Sequence, residues 1–554
     1  MVNKFNTNNK IKLKTSYQKK IFFNHKIVNK KYKKYLKILS PQLNEKNKKN
    51  FKINTWEGFL SNNFYRVILI TFEFFQQFKK KYKKEKTLKK YYSFNTFAEI
   101  RSNLLTDRNF KACLYNIYKK KNCKIVNKKY KPPIPKSIKL NILEKIKYLI
   151  LNKLVFKFLI NIFRVRCLKI SPNVAFIGSY FSTKNRIKLK FYGKGRYQTL
   201  NFPNFNFENK PNFEERSFLK KIQKRKDFDS FDKFFFNFLY FFFPTLYLEN
   251  FNQNLKVSKD FFRKENFKVI CNENFITNNK SSFNLMVGKT FFKIKHYYNE
   301  HNTLIHFLFG NYIERLTNYS DKYLNLGWRS KNSKIIKTGY MYGFNDEKYF
   351  IKPKKIYNII YVTSIIKNEI HEYYDFLNSE NYNVCKGDNF KKTFFKTLKK
   401  EIKDEIFFKL PKKIKQKNGK ISIPEKILSR MKEDKFLPNN VSMRKYMDQA
   451  KLLIIDSIAT VYLEALTKNI PFIIIAPKDL FLFNENINSI KPLIEAEIFF
   501  FDAHKAATFV NKHHGEYHLW WNSKKIQRAR KKFININLRN EKSFINFFKN
   551  SKSF

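Results

Sequence analysis

The chain has 554 residues, 43% of them hydrophobic, which is too long for one ordinary core and too apolar for wholesale disorder. Lys and Arg number 113 against 43 Asp and Glu, a formal net charge of +70, and such an excess first suggests a nucleic-acid partner. The excess lies in Lys, Asn, Phe, Ile and Tyr, with only 12 Gly and 15 Pro. A bias toward A/T-rich codons spread over the whole chain accounts for that, Arg is not the favoured cation, and no nucleic-acid partner is expected.

Cys113, Cys123, Cys167, Cys271 and Cys385 are scattered without a CxxC pair, which fits a reducing compartment and no structural zinc. Residues 1–20 are polar and basic with no apolar run behind them, so no signal peptide is read. No stretch reads as a transmembrane helix: residues 146–163 carry Lys153 and Lys157, and residues 234–248 are short and contain Pro244. A cytoplasmic protein is expected, with a peripheral contact to an anionic membrane as an additional partner.

Residues 1–55 read as a basic arm, since Glu45 is the single acid in the first fifty positions. Residues 56–82 carry a helical pattern ending in a lysine block, and residues 119–136 read as a linker closed by Pro132, Pro133 and Pro135. Short buried strands are expected at 173–178 and 268–271, and a turn at 327–331. The chain changes domain near 345–355, which divides it into a first lobe at 56–345, a second lobe at 346–535 and a tail at 536–554. In the second lobe strands are expected at 356–363, 405–410, 452–455, 472–475 and 498–501. Helices are expected between and after them at 389–402, 443–449, 459–468, 503–513 and 523–533. Apolar strands alternating with helices call for a parallel sheet covered on both faces, with ligands beyond the strands' carboxyl ends.

The most informative stretch runs from Asp456 to Ile474. A buried strand stops, Ser457 and Thr460 open a helix, Glu464 follows one turn later, and a strand resumes after Pro471. Free N–H groups at such a helix start suit a diphosphate, and a carboxylate one turn on could reach a ribose hydroxyl. His513, His514 and His518 invite a metal reading, but Gly515 breaks the helix and no spaced carboxylate completes a zinc set. Trp520 and Trp521 read as packing anchors for the last helix.

The segment Thr460-x-x-x-Glu464-x-Leu466-x-x-Asn469-x-Pro471 resembles a block near the C-terminus of GT-B surface-polysaccharide transferases. The order downstream is Pro492-Leu493, then Ala496 to Asp502, then Trp520-Trp521-Asn522-Ser523 and the basic run to Phe533. That series is similar to a sugar transferase family of bacterial surface-polysaccharide and lipopolysaccharide clusters, first named from a leptospiral locus. Ser320 to Trp328 resembles its D-x-Y-L-x-x-G-W step, Asn63 to Ile70 its N-terminal helix, and residues 179–190 its strand-to-helix element. Two departures stand out. Lys295-His296-Tyr297-Tyr298 occupies the place of a Gln-His-Gly-Gly loop, and Lys409-Leu410-Pro411 stands where the family tends to have an Arg and a Tyr-Pro.

The resemblance implies an α/β protein of two Rossmann-like lobes and metal-independent sugar transfer from a nucleotide-linked donor to a glycan or lipid-linked acceptor. Ser457, Thr460 and Glu464 would hold the donor, Lys409 would meet the leaving phosphate, and His296 would serve as the base. No cofactor is expected beyond the donor itself. Two rival readings are a basic nucleic-acid-associated protein and a catalytically silent scaffold, the second suggested by the missing glycines.

Overall fold

The structure is a computed structural model. It describes residues 16–81, 90–100, 108–119, 124–129, 174–177, 197–265, 267–272, 279–300, 312–339, 354–363, 365–367, 382–410, 419–421, 425–429, 431–456, 458, 460–477, 485–539 and 541–550. The apolar segment at 146–163 and the element at 179–190 lie outside those residues.

The chain opens with two long helices, α1 (Ser16–Asn47) and α2 (Ile53–Lys81). Residues 16–47 are therefore not an arm. Val28, Tyr32, Tyr35, Leu36, Leu39 and Leu43 recur at helical spacing and are buried, a stripe that the surrounding lysines hide in the sequence. Strand β1 (Lys90–Ser93) pairs in parallel with β2 (Lys124–Lys129), which occupies part of the expected linker. Helix α3 (Arg108–Tyr118) lies between them in the chain, and α4 (Ser230–Phe242) follows further on. Asp229 and Asp232 form a capping box at the start of α4. The same two carboxylates meet Lys31 of α1 at 2.7 and 2.5 Å, and Tyr35 donates to Asp232 at 2.6 Å. A basic helix is thus pinned to a helix N-terminus by its few acids.

The first sheet contains β3 (Val174–Ile177), β4 (Tyr197–Leu200), β5 (Val269–Asn272), β6 (Lys295–Asn299), β7 (Lys322–Asn325) and β8 (Ile335–Lys337). All neighbours are parallel, in the order β4-β3-β5-β6-β7-β8. Helices α5 (Phe251–Glu265), α6 (Asn279–Phe292) and α7 (Tyr312–Tyr319) connect them, and α6 packs on α2, joining the sheet to the N-terminal helical layer.

The second sheet contains β9 (Tyr357–Val362), β11 (Ile406–Lys409), β13 (Phe436–Leu437), β14 (Ala450–Ile455), β15 (Phe472–Ile475) and β16 (Phe499–Phe500). A separate two-stranded ribbon pairs β10 (Ile365–Lys367) with β12 (Gly419–Ile421) antiparallel. The second sheet is parallel in the order β13-β11-β9-β14-β15-β16. Numbered within the lobe, that is 3-2-1-4-5-6, the Rossmann order. Ile360, Val362, Leu453, Ile455 and Ile474 face one core, and Ile359, Tyr361, Leu452, Ile454 and Ile473 face the other. Burial on both faces is why these strands read as unbroken apolar runs.

The first sheet ends at Lys337 and the second begins at Tyr357, so the chain changes lobe between those residues. The helices of the second lobe used below are α8 (Tyr382–Thr397), α9 (Met443–Met447), α10 (Thr460–Lys468), α11 (Ala503–Lys512) and α12 (Lys524–Asn537). After α12 the chain returns to the first lobe. Leu538 bridges Gly327, and the Arg539 N–H donates to the Leu326 carbonyl at 2.7 Å. Gly327 sits at φ 141°, and a Cβ there would lie 2.5 Å from the Leu538 carbonyl carbon. Only glycine accepts both conditions. The expected tail is a helix, α13 (Glu541–Asn550), whose Phe544 and Phe548 pack on Phe176 of β3. Tyr197 ties it down by donating to the Phe548 carbonyl at 2.8 Å.

Candidate functional site

The second sheet reverses its order between β9 and β14, and in open parallel sheets such a reversal leaves a crevice beyond the carboxyl ends. At that crevice β9 ends on Val362 and β14 on Ile455, which are partners in register. The next residue, Asp456, donates its N–H to the Val362 carbonyl at 3.3 Å. Its carboxylate, with no exposed surface, meets Nζ of Lys391 from α8 at 3.0 Å. This buried pair fixes the point where β14 gives way to α10. Thr460 is the first residue of α10 and half-buried, and Ser457 lies outside the described residues.

Lys409 ends β11 at the same edge and is buried. The Thr363 N–H and hydroxyl donate to its carbonyl at 3.1 and 3.3 Å, and its own Nζ donates to the Pro438 carbonyl at 2.9 Å. One lysine thus joins the carboxyl ends of β9 and β11 to the segment after β13. Its ammonium, donating to a backbone carbonyl, is held at the edge where a leaving phosphate is expected.

Glu464 follows Thr460 by one helical turn and is buried. Both of its oxygens accept from one guanidinium: Arg444 Nε reaches Oε2 and Nη2 reaches Oε1, each at 2.9 Å. The Arg444 side chain remains 41% exposed while that of Glu464 is 9% exposed. Arg444 stands in the first turn of α9, where Ser442 caps the helix by accepting from the Arg444 N–H. Helix α9 runs from the loop after β13 toward the start of β14 and lies alongside α10, where Asp448 just past α9 meets Lys468 at the end of α10 at 2.8 Å. A two-bond fork fixes the plane of the guanidinium as well as its position. Sequence reading missed Arg444. It is one of 113 basic residues, its spacing to Glu464 is not a helical one, and only the sheet brings the two helices together.

His296 is a correction. It is the second residue of β6, near the amino end of the strand and with no exposed surface, not a member of a lobe-closing loop. Burial, helped by Lys289, pushes its pKa down to about 3 against the opposing pull of Asp321 and the Tyr319 carbonyl. An imidazole neutral for that reason, inside the core and at the wrong end of its strand, does not take a proton from an acceptor in the cleft. The tyrosines beside it, which stand in the sequence at the place of loop glycines, are strand residues. Tyr298 packs on Tyr323 with ring centroids 5.3 Å apart.

The carboxyl end of β6 is Asn299, and the residue past it is Glu300. Glu300 is buried, and its Oε2 accepts from the Leu326 N–H at 3.0 Å and from Trp328 Nε1 at 2.9 Å. Burial raises its pKa to about 8, although these two donors and the Tyr323 hydroxyl pull the other way. A carboxylic acid therefore braces the turn that carries Gly327. The next histidine, His301, lies outside the described residues.

Among the described residues no group of three or more His, Cys, Asp or Glu side chains is placed to hold a metal ion. His514 instead meets Glu405 at 2.7 Å. Trp521 is buried and donates to Asn469 at 3.0 Å, while Trp520 packs edge-on to Phe509 of α11.

Compared with known proteins, the chain matches a family described as LIC12162 family transferase over residues 5–550. No curated protein matches it by sequence. Among solved structures it is similar to Acinetobacter baumannii MurG, at 9% identity and a TM-score of 0.36, over 68% of this chain and 99% of that one. It is similar also to the spinosyn rhamnosyltransferase SpnG complexed with spinosyn aglycone, at 8% identity and a TM-score of 0.33, over 68% and 99%. A third is CalG4, the calicheamicin glycosyltransferase, at 6% identity and a TM-score of 0.33, over 70% and 100%.

Proposed function

The chain belongs to the LIC12162 family of transferases, and we propose that the group it transfers is a sugar. The donor is nucleotide-linked and sits at the carboxyl edge of the second sheet. The acceptor, a surface polysaccharide or its lipid-linked precursor, enters from the first lobe. In the reaction the bond from the anomeric carbon to the diphosphate oxygen breaks, and the nucleoside diphosphate leaves with the electron pair. The acceptor oxygen bonds to the anomeric carbon and gives up its proton.

The observation that carries this reading is the Rossmann order of the second sheet, whose reversal point coincides with the start of α10. Thr460 offers a helix start to the diphosphate, and Ser457, three positions earlier in the sequence, would add its hydroxyl. Lys409 supplies a positive charge at the same edge, and Arg444 supplies a second, in a plane that Glu464 fixes. In this reading Glu464 is a positioning residue first, because Arg444 engages both of its oxygens. The proposed setting is the cytoplasmic membrane face, reached by peripheral contact. Among the described residues no helix is long and apolar enough to cross a membrane.

A thermal-shift screen of nucleotide sugars and nucleoside diphosphates tests the reading. A donor at a hundred times its Kd stabilises by about 2.7 kcal/mol, and at least one base should raise Tm in that way. If no nucleotide shifts Tm, the donor site is misassigned. If nucleotides bind but no sugar is transferred to any acceptor, the chain is a silent scaffold.

A further inference from the structure

Beside the point where the chain returns to the first lobe, a cavity of about 770 Å³ opens between the lobes. From the first lobe it is lined by the turn at Gly327–Arg329 and by Lys337 at the end of β8. From the second it is lined by Asn488, Ser489 and one face of α12. That face carries Arg528, Lys531, Lys532 and Asn535, spaced to lie together on a helix. Ile536 and Arg539 complete the lining. Six of the lining side chains are cationic and none is acidic.

In a chain with 113 basic residues, a cationic surface alone says little. This one differs in three respects. It is concave and of a size that suits a small ligand, too small for a nucleic-acid duplex. Its cations come from both lobes, and none of the six has an acidic partner among the described residues. Its walls are also fixed from behind. Ile526 and Phe533 of α12 are buried, Arg530 donates to the Leu466 carbonyl at 2.6 Å, and Asn537 donates to the Ser489 carbonyl at 3.0 Å. Opposite, Glu300 holds the Gly327 turn through Leu326 and Trp328. Six like charges facing a walled space repel one another and focus a positive field into it. A multivalent anion relieves that repulsion, and the three arginines match phosphate oxygens in pairs.

We propose that this pocket is a phosphate site, separate from the donor site, that takes the phosphoryl or diphosphoryl group of the acceptor. Assigning that group to the acceptor rests on the sugar-transfer reading; the recognition of phosphate does not. Because both lobes supply cations, a bound anion ties the two lobes together at this point.

Calorimetric titration of the full chain with inorganic pyrophosphate, in the presence of saturating nucleoside diphosphate, tests the proposal. Reversing charge on the exposed face of α12 (Arg528→Glu with Lys532→Glu) should weaken pyrophosphate about tenfold or more, and Arg329→Ala should weaken it from the other lobe. Lys26→Glu with Lys30→Glu, on the exposed face of α1, should leave it unchanged. A parallel titration with a polyprenyl diphosphate in micelles separates the sources: clearly tighter binding assigns a lipid-linked acceptor, and equal binding assigns a phosphorylated sugar. The proposal is overturned if the pocket variants bind pyrophosphate as the wild type does, or if the α1 variant weakens it equally. It is also overturned if the pocket variants lose nucleoside diphosphate to the same degree, since the pocket would then be the nucleotide site. If nucleoside diphosphate does not bind at all, the donor reading fails while the pyrophosphate result still decides the pocket.

Discussion

Glu300→Gln isolates one buried acid at the junction of the lobes. Burial lifts the pKa of Glu300 from 4.5 to about 8, so between those values the folded chain holds a proton that the unfolded chain has released. Stability must then fall as pH rises through that window, by up to about 1.4 kcal/mol per unit, and level off above it. The full span, roughly three and a half units, corresponds to about 5 kcal/mol, of which about 3 kcal/mol is already lost at neutral pH. Glutamine keeps an oxygen to accept from Leu326 and Trp328 but does not titrate. Urea unfolding followed by tryptophan fluorescence should show the wild type weakening from about pH 5 to about pH 8 relative to the variant. The variant should be the more stable of the two at the upper end. Parallel profiles, with a constant offset, would refute the reasoning, because Glu300 would then be ionised in the fold as it is in the unfolded chain.

Gly327→Ala should lower stability by more than about 2 kcal/mol, read as a drop in Tm, because the new Cβ meets backbone atoms of Leu538 and Arg539 that have no room to move. Asp456→Ala should cost about 3–5 kcal/mol in urea unfolding by removing the carboxylate that faces the buried Lys391 ammonium, and Asp456→Leu with Lys391→Met should recover much of it. His296→Gln should lower Tm yet leave the shape of the pH–rate profile of transfer unchanged, because a group with a pKa of about 3 does not titrate near neutrality. An inflection lost in that variant would restore His296 to the chemistry.

The second lobe was legible because its strands are buried on both faces. The run Phe472–Ile475 has the same limits in sequence and structure, and β9, β11 and β14 begin or end within two residues of expectation. The first lobe was harder. Strand β6 reads Lys-His-Tyr-Tyr-Asn and β4 reads Tyr-Gln-Thr-Leu, too polar to stand out among so many lysines and asparagines. For that reason the sequence predicts a loop where β6 stands, and a base at His296. Helix α1 was hidden in the same way, since its buried stripe carries two tyrosines and is interleaved with exposed lysines. Thr460, Glu464 and Lys409 could be chosen locally, from a helix start and a strand end. Arg444 could not, because its role depends on the packing of α9 beside α10.

The placement of the donor is tested most directly by the affinity of the best nucleoside diphosphate for the wild type and for Arg444→Ala, measured side by side by calorimetry. Losing a hydrogen bond to a charged group costs about 1.5–3 kcal/mol, so the variant should bind about tenfold or more weakly. Its Tm should fall as well, because the buried Glu464 carboxylate loses the guanidinium that both of its oxygens accept from, so the two affinities are compared well below the variant's Tm. Equal affinity in the two proteins would contradict the account, and would place the nucleotide somewhere other than the reversal point of the second sheet.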